Sequence, residues 1–413
     1  MLSIKKDIKW SNFLSRYKIF YCPLDFMAFF LVLYYSAINA ITVEILMKVG
    51  FDFKFMGYKL TTYFWILLIN IAAIRIYMRG TNFSGLQKSF TFFVVAFIFL
   101  SIQHDSEWVL KDFLYLLFII LPSTIISMVC INSLIASQKY FMELNIVVLG
   151  IICSLLIILT PDIIELRASL PHLNANTYST FGVYLLLASI VYPSTKIRSY
   201  LISLGGILLA LGVLFYANSV GITLILCITL IFAAFSGLSR QKKGLVYFSL
   251  CMLLAIINFP KFLANNYLPK FNEQQATIGD RAVSLVTNTS STLYDRLSVY
   301  RYVVQNFWDH FFIGSYYYFS DIHTAHNVLV EIFLISGIFG FAFFCFLVFI
   351  SSLRWFAALS RGNEAIIFFA LLYFFSFLEA LFRGRLVYSV LLIVLMAVSF
   401  NSSFAKFITE KKE

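Results

Sequence analysis

Charged side chains are scarce in this sequence. Only 12% of the 413 residues are Asp, Glu, Lys or Arg, whereas soluble proteins carry about 25%, and this excludes an ordinary soluble enzyme. Hydrophobic residues make up 61% of the chain and include 47 Phe and 24 Tyr. They come in blocks of about 20 residues, the length of a helix that crosses the hydrocarbon core of a bilayer. The sequence therefore predicts an all-α polytopic membrane protein.

Cysteine is also sparse, and its positions exclude several kinds of site. The six Cys residues lie within or beside apolar blocks, so the polar segments contain neither a disulfide framework nor a Cys-based metal site. The chain has no Asp-x-Asp motif and no His/Cys set with metal-ligand spacing, and we expect neither a metal nor another cofactor. The N-terminus does not resemble a cleavable signal peptide. The absence of a visible internal repeat argues against many transporters.

Twelve apolar blocks are candidate membrane spans. They lie near residues 26–43, 61–77, 89–104, 113–135, 144–160, 177–192, 200–217, 219–236, 244–259, 327–352, 365–382 and 386–403. If the N-terminus is cytoplasmic, most of the 31 Lys and Arg residues also fall on the cytoplasmic side, as the positive-inside rule requires. We therefore expect both termini in the cytoplasm. The net charge of +11 is then mainly an orientation signal, and no nucleic-acid partner is expected.

Residues 260–326 form the only long connection, on the outer face, between spans 1–9 (residues 1–259) and spans 10–12 (residues 327–413). An apolar stripe of helical period predicts an amphipathic helix there, and it comprises Leu293, Leu297, Tyr300, Val304, Phe307 and Phe311. Arg296 and Arg301 lie about 140° apart on such a helix, so both cannot grip one small anion unless the helix bends. The alternative is a surface helix whose arginines face lipid headgroups.

The tenth span begins with His326 and Asn327. The orphan N–H groups and dipole of a helix start favour anions and a neutral imidazole, which is able to accept a proton. A boundary His can equally be a headgroup anchor, and His323 is either a second catalytic group or a loop residue. Glu331 lies more than a turn into the apolar span, where an ionisable group suggests function. Gly337 and Gly340 would allow a neighbouring helix to approach closely.

A second polar set lies between the last two spans. Glu379 is followed by Arg383 and Arg385 around a short turn on the outer face. The two guanidinium groups are able to grip a diphosphate bidentately. The alternative is that these three side chains pair with one another.

These residues resemble a known family. His326-Asn327, nine residues and then Gly337-x-x-Gly340 are similar to the His-[Asn/Ser/Gln]-x9-Gly-x-x-Gly pattern of the bacterial O-antigen polymerase and O-antigen ligase superfamily. Three weaker similarities accompany it: the segment Arg296-Leu297-Ser298-Val299-Tyr300, the pair Glu379 and Arg385, and the segment Asn174-Ala175-Asn176-Thr177. One departure is that Asn218-Ser219-Val220-Gly221 stands where family members often carry Ser-Arg. Arg281 is a candidate substitute for the missing arginine.

The resemblance implies a metal-independent glycosyltransferase with a GT-C-like fold in the bacterial inner membrane. Its donor would be an undecaprenyl-diphosphate-linked oligosaccharide, and its active site would face the periplasm. His326 and Arg296 would be catalytic, and the diphosphate would be bound by Arg281, Arg301, Arg383 and Arg385. Asn327, Glu331, Gly337, Gly340, Glu379 and His323 would support them. Possible partners are membrane lipid and a chain-length regulator protein.

Three functions are compatible with this pattern. A repeat-unit polymerase is the leading hypothesis, and the missing arginine near residue 220 favours it. The alternative is an O-antigen ligase, which transfers finished polymer to lipid A-core. A polysaccharide flippase or other transporter is a third hypothesis, but it would be expected to have balanced halves and charged central helices and to lack a long outer loop.

Overall fold

A computed structural model describes most of the apolar segments of the chain. The described residues are 23–49, 54–55, 58–78, 83–101, 114–136, 138–159, 175–192, 197–217, 219–236, 238–266, 300–312, 314, 327–361, 363–382 and 389–409. Within these ranges the chain is helical apart from short connections and one pair of two-residue antiparallel strands, β1 (Lys54–Phe55) and β2 (Tyr58–Lys59).

The helices follow the apolar blocks of the sequence. In chain order they are α1 (Pro23–Lys48), α2 (Leu60–Met78), α3 (Gly85–Ser101), α4 (Leu121–Ala136), α5 (Gln138–Leu159), α6 (Ala175–Val191), α7 (Ile197–Ala217), α8 (Val220–Phe235), α9 (Arg240–Asn266), α10 (Phe307–His310), α11 (Val328–Arg361), α12 (Glu364–Phe382), α13 (Val390–Ser399) and α14 (Ser402–Thr409). A π-helical turn, Leu116–Ile120, runs directly into α4.

Each predicted span falls on one of these helices, although several bounds differ. The helix α9 continues past Pro260 to Asn266, so the first residues of the predicted outer loop are helical. Five described helices are long and apolar enough to cross a membrane, namely Thr61–Met78, Phe141–Leu159, Ile197–Ala217, Val328–Ser360 and Glu364–Phe382. These helices indicate an all-α, membrane-embedded protein, while the count of twelve crossings stays a prediction.

The bundle is apolar both inside and outside. Helices α6 and α12 lie at its centre, and most of their side chains are buried. Large apolar side chains also cover the outer surface, including Phe235 (86% exposed) and Ile158 (74% exposed). Apolar surface of this kind is stable against lipid tails but costly in water, so the exposed faces of the described helices agree with a membrane setting.

Polar contacts collect at the two ends of the bundle. At one end, Lys242 forms an ion pair with Glu364 (3.4 Å). There also the Tyr192 hydroxyl donates to Glu143 (3.1 Å). The sequence assigns these residues to the cytoplasmic side or its boundary. At the opposite end, Lys48 donates to the Leu159 carbonyl. The contacts therefore sort the helix ends into the same two groups as the charge pattern does.

Buried hydrogen bonds connect the C-terminal helices to each other and to α4. The Trp355 indole N–H donates to the Leu395 carbonyl (3.1 Å). The Ser399 hydroxyl donates to Ser351 (2.9 Å), and the Asn401 amide donates to the Met128 carbonyl (2.7 Å). Each buried polar group thereby gains a partner that surrounding lipid cannot supply. These bonds connect α11 to α13 and connect the start of α14 to α4.

Small residues let α6 and α7 approach closely. A Cβ atom built on Gly182 would lie 3.1 Å from the Ala210 carbonyl oxygen, and one built on Gly206 would lie 3.2 Å from the Ser189 Cβ. At the adjacent Gly205 such an atom would meet nothing within 4 Å. Only one of the two neighbouring glycines in α7 is therefore required by packing.

Substitution of Gly205 and of Gly206 should distinguish the effect of helix packing on stability from the effect of helix propensity. Gly206→Leu should lower the free energy of unfolding by about 1–3 kcal/mol because it overpacks the α6–α7 contact. Gly205→Leu gains the same helix propensity, but the new side chain meets open space, so the free energy of unfolding should not fall. The unfolding temperatures of both variants are measured in detergent micelles. Equal unfolding temperatures for Gly205→Leu and Gly206→Leu would contradict this account of the α6–α7 packing.

Candidate functional site

The start of α11 is capped by Asn327. Its side-chain oxygen accepts hydrogen bonds from the backbone N–H groups of Leu329 (2.9 Å) and Val330 (3.3 Å). This is the role of an N-cap residue, which satisfies donors that the helix leaves unpaired. The cap explains why the helix begins directly after His326. It also fixes the position of the backbone that follows the predicted catalytic histidine.

Glu331 lies in the first turn of α11, not more than a turn into the helix as predicted, and it is only 5% exposed. Its N–H donates to the Asn327 carbonyl (3.0 Å), so the cap and the carboxylate belong to the same helical turn. A negative charge is favourable at this position because the N-terminal end of a helix carries a partial positive charge. The dipole therefore offsets part of the cost of burying Glu331.

Gly337 breaks α11. Its backbone has φ 63° and ψ −164°, a region open essentially only to glycine. The N–H of the next residue, Ile338, leaves the helical pattern and donates to the carbonyl of Phe311 (2.7 Å). A Cβ atom on Gly337 would lie 2.6 Å from the carbonyl carbon of Phe312. Glycine is required here both for its backbone conformation and for the close approach.

The approaching segment also needs a glycine. Gly314 has φ 73°, and a Cβ atom on it would lie 2.6 Å from the carbonyl carbon of Ile335 and 2.7 Å from the carbonyl oxygen of Leu334. We expected Gly337 and Gly340 to admit a neighbouring helix. Gly337 instead admits the backbone of Phe311, Phe312 and Gly314, and a Cβ atom on Gly340 would clash with Ser336 across the break.

Residues 300–312, which precede Gly314 in the chain, pack against α11. They are helical from 300 to 305, turn at Asn306 and continue as α10. The Phe307 ring stacks on Phe333 with centroids 5.4 Å apart and planes 11° apart. Of the predicted apolar stripe, Leu293 and Leu297 lie outside the described residues, and Val304 is 75% exposed. Arg301 is also exposed.

A second set of polar side chains comprises Asn176, Thr180, Ser219 and Glu379, and it is here called the outer-end cluster because the charge pattern predicts that this end faces outward. The Ser219 hydroxyl donates to the side-chain oxygen of Asn176 (2.8 Å). The Thr180 hydroxyl lies 2.9 Å from the Asn176 carbonyl oxygen and 3.3 Å from Glu379 Oε1, and it donates to one of them at a time. The cluster joins the starts of α6 and α8 to the end of α12.

Buried polar groups continue below the outer-end cluster. Tyr184 lies one turn further along α6, with its ring against Phe375 and against Tyr34. The Tyr34 hydroxyl donates to Asn145, and the backbone of α1 is non-helical at Tyr34 (φ −120°, ψ 20°). These residues were not predicted. A signal existed, because an asparagine inside an apolar span is costly and hence informative.

The structure brings together some of the predicted site residues. Asn327 and Glu331 share the first turn of α11, Gly337 and Gly340 flank the break, and Glu379 contacts Thr180. Six others lie outside the described residues, namely Arg281, Arg296, His323, His326, Arg383 and Arg385. Among the described residues, no group of three or more His, Cys, Asp or Glu side chains is placed to hold a metal ion.

Comparison with known proteins adds no further assignment. Neither the protein-family models nor the curated proteins compared with this chain gave a match. A functional conclusion for this chain therefore rests on its own residues and their geometry.

Gly337→Ala should release the segment that docks at the break. The new methyl group would meet the Phe312 carbonyl, and alanine tolerates this backbone conformation poorly, at a cost of about 1–3 kcal/mol for the strain alone. Hydrogen exchange should show faster exchange at the Ile338 amide and across residues 307–312. Gly150→Ala, which meets nothing within 4 Å, is the matched control. Unchanged exchange in Gly337→Ala would contradict the docking role.

Proposed function

We propose that this chain is a membrane glycosyltransferase that joins undecaprenyl-diphosphate-linked repeat units into O-antigen or a similar surface polysaccharide. The observation that carries the proposal is the outer-end cluster: a carboxylate, an amide and two hydroxyls meet where the ends of α6, α8 and α12 come together. The same end receives the start of α11, because α11 and α12 pack together and are joined by a short turn.

The chemistry of the outer-end cluster suits a carbohydrate. Sugar hydroxyls both donate and accept hydrogen bonds, and the amide, hydroxyl and carboxylate groups of Asn176, Ser219 and Glu379 provide both functions. Thr180 and Ser219 are buried, so their contacts hold the ends of α6, α8 and α12 in fixed positions. A rigid polar rim above apolar helices is compatible with a ligand that has a sugar head and a lipid tail.

The proposed reaction transfers a glycosyl group without a metal. A hydroxyl oxygen of the acceptor sugar attacks the anomeric carbon of the donor, and the bond from that carbon to the diphosphate oxygen breaks. Undecaprenyl diphosphate leaves with the bonding electrons, while the hydroxyl proton passes to His326 as general base. Arg296 is the catalytic cation in this proposal, and its guanidinium group stabilises the charge that develops on the leaving group.

The remaining arginines extend the proposed diphosphate site. Arg281 and Arg301 belong to the long loop, and Arg383 and Arg385 belong to the turn after α12. Arg301 is exposed, which is compatible with binding an external anion. Asn327 supports this arrangement through its cap, because the capped helix start follows His326 directly in the chain.

The proposal includes a location. Both termini would be cytoplasmic, and the segment 260–326 would lie in the periplasm beside a bacterial inner membrane. The sorting of polar contacts into two ends supports this orientation, since Lys242, Glu364, Glu143 and Tyr192 all meet at the end assigned to the cytoplasm.

Replacement of His326 tests the catalytic role. His326→Ala should lower chain extension by about 10²–10⁴-fold, the usual contribution of a general base, while the protein still inserts in the membrane. The measurement is the lipopolysaccharide ladder of a deletion strain that carries each variant. Full-length polysaccharide from His326→Ala would refute the role. The deletion strain also separates the functions, since core plus one repeat unit indicates a polymerase and bare core with lipid-linked polymer indicates a ligase.

Replacement of Glu379 tests the outer-end cluster. Glu379→Gln keeps the shape of the side chain but removes its charge, and a hydrogen bond to a charged group contributes about 1.5–3 kcal/mol. Chain extension should therefore fall about tenfold or more. Glu364→Gln, at the opposite end of the same helix and paired with Lys242, is the matched control. Equal activity in the two variants, at equal protein levels, would remove Glu379 from the site.

A further inference from the structure

The helix α11 is longer than a bilayer requires. Val328–Arg361 contains 34 residues, about 51 Å at about 1.5 Å per residue, whereas the hydrocarbon core is about 30 Å thick. The break at Gly337 leaves residues 338–361, which form about 36 Å of helix. This second part is long enough to cross the membrane alone.

The exposed surface of α11 changes at the same point. Beyond Gly337 an apolar stripe faces outward, beginning at Phe339 (71% exposed) and continuing through Phe346, Phe349, Leu353 and Phe356. Its spacings of 7, 3, 4 and 3 residues follow the helical period. From Asn327 to Ser336, by contrast, every side chain is buried or half-buried. The exposed apolar stripe of α11 therefore begins just after Gly337.

Residues 300–312 are held at that same level. The hydrogen bond from Ile338 to the Phe311 carbonyl and the stacking of Phe307 on Phe333 fix one face of this segment to α11. The same segment also exposes three large apolar side chains, Val304 (75% exposed), Trp308 (76%) and Phe312 (62%). These three side chains are here called the Trp308 ridge. The exposed Arg301 lies at its beginning.

We propose that the Trp308 ridge inserts into the bilayer at the boundary between headgroups and acyl chains, on the side where α11 begins. Trp is favoured at this boundary because its ring is apolar and its N–H is polar. Arg301 has the charge to contact phosphate headgroups beside it. The ridge anchors the segment that docks at Gly337, so the start of α11 is held at the membrane surface. The Trp308 ridge is inferred from exposure and packing and does not rest on the proposed glycosyl transfer, in which Arg301 is a proposed diphosphate ligand.

The test measures where the Trp308 indole lies. The full chain is placed in nanodiscs of phosphatidylcholine and phosphatidylglycerol whose acyl chains carry bromine either near the headgroup or near the methyl end. Bromine quenches only nearby indoles. The difference in fluorescence between the wild type and Trp308→Phe isolates the contribution of Trp308. Trp308→Tyr is a second substitution that removes the same indole.

Bromine near the headgroup should quench most of the Trp308 component, and bromine near the methyl end should quench less. Both Trp308 variants should lose this lipid-quenched component. Trp355→Phe is the reference, because it removes a fully buried indole and should leave the component unchanged. A Trp308 component quenched by aqueous iodide but not by lipid bromine would overturn the proposal. So would a component quenched by neither, which would mean that another part of the chain covers the ridge.

Discussion

The hydrogen bond between the Ile338 N–H and the Phe311 carbonyl is the contact on which the end of the protein where α11 begins depends. A helix within lipid must satisfy its own backbone groups, and a break is stable only where protein supplies substitute partners. Here the segment ending at Gly314 supplies one. The same contact lies where the exposed apolar stripe of α11 begins, and it holds residues 300–312 against that helix. It also separates the capped first turn, with Glu331, from the part of α11 that is long enough to cross the bilayer.

The outer-end cluster is a second constraint, and it acts between helices. Asn176 and Ser219 belong to helix starts that are 43 residues apart in the chain, and Glu379 is 199 residues from Thr180. Hydrogen bonds between such distant positions fix the ends of α6, α8 and α12 relative to one another. In an apolar surrounding these bonds have few competitors, so they specify the arrangement as well as stabilise it. A rigid polar rim of this kind is the basis of the proposed carbohydrate site.

Particular residues show how far the sequence could be interpreted alone. The apolar blocks placed every predicted span on a helix, and the charge pattern sorted the helix ends into the same two groups as Lys242–Glu364 and Lys48–Leu159 do. Gly337 was predicted to admit a neighbouring helix, but the backbone of Phe312 and Gly314 approaches it instead, and a Cβ atom on Gly340 would meet Ser336 of its own helix. The apolar stripe predicted an amphipathic helix through residues 293–311, and the turn at Asn306 is not visible in the helical period. The pairing of Ser219 with Asn176 and of Tyr34 with Asn145 was not predicted.

The scarcity of charge and the length of the apolar blocks were enough to determine a helical, membrane-embedded chain, because hydrophobic burial and backbone satisfaction act locally along the sequence. The same local rules marked Asn327 as a position near a helix start. Only the tertiary structure decided that α11 breaks at Gly337 and which distant polar groups meet at the end of the bundle. Those features depend on contacts between segments far apart in the chain, and no periodicity or composition records which segments will meet.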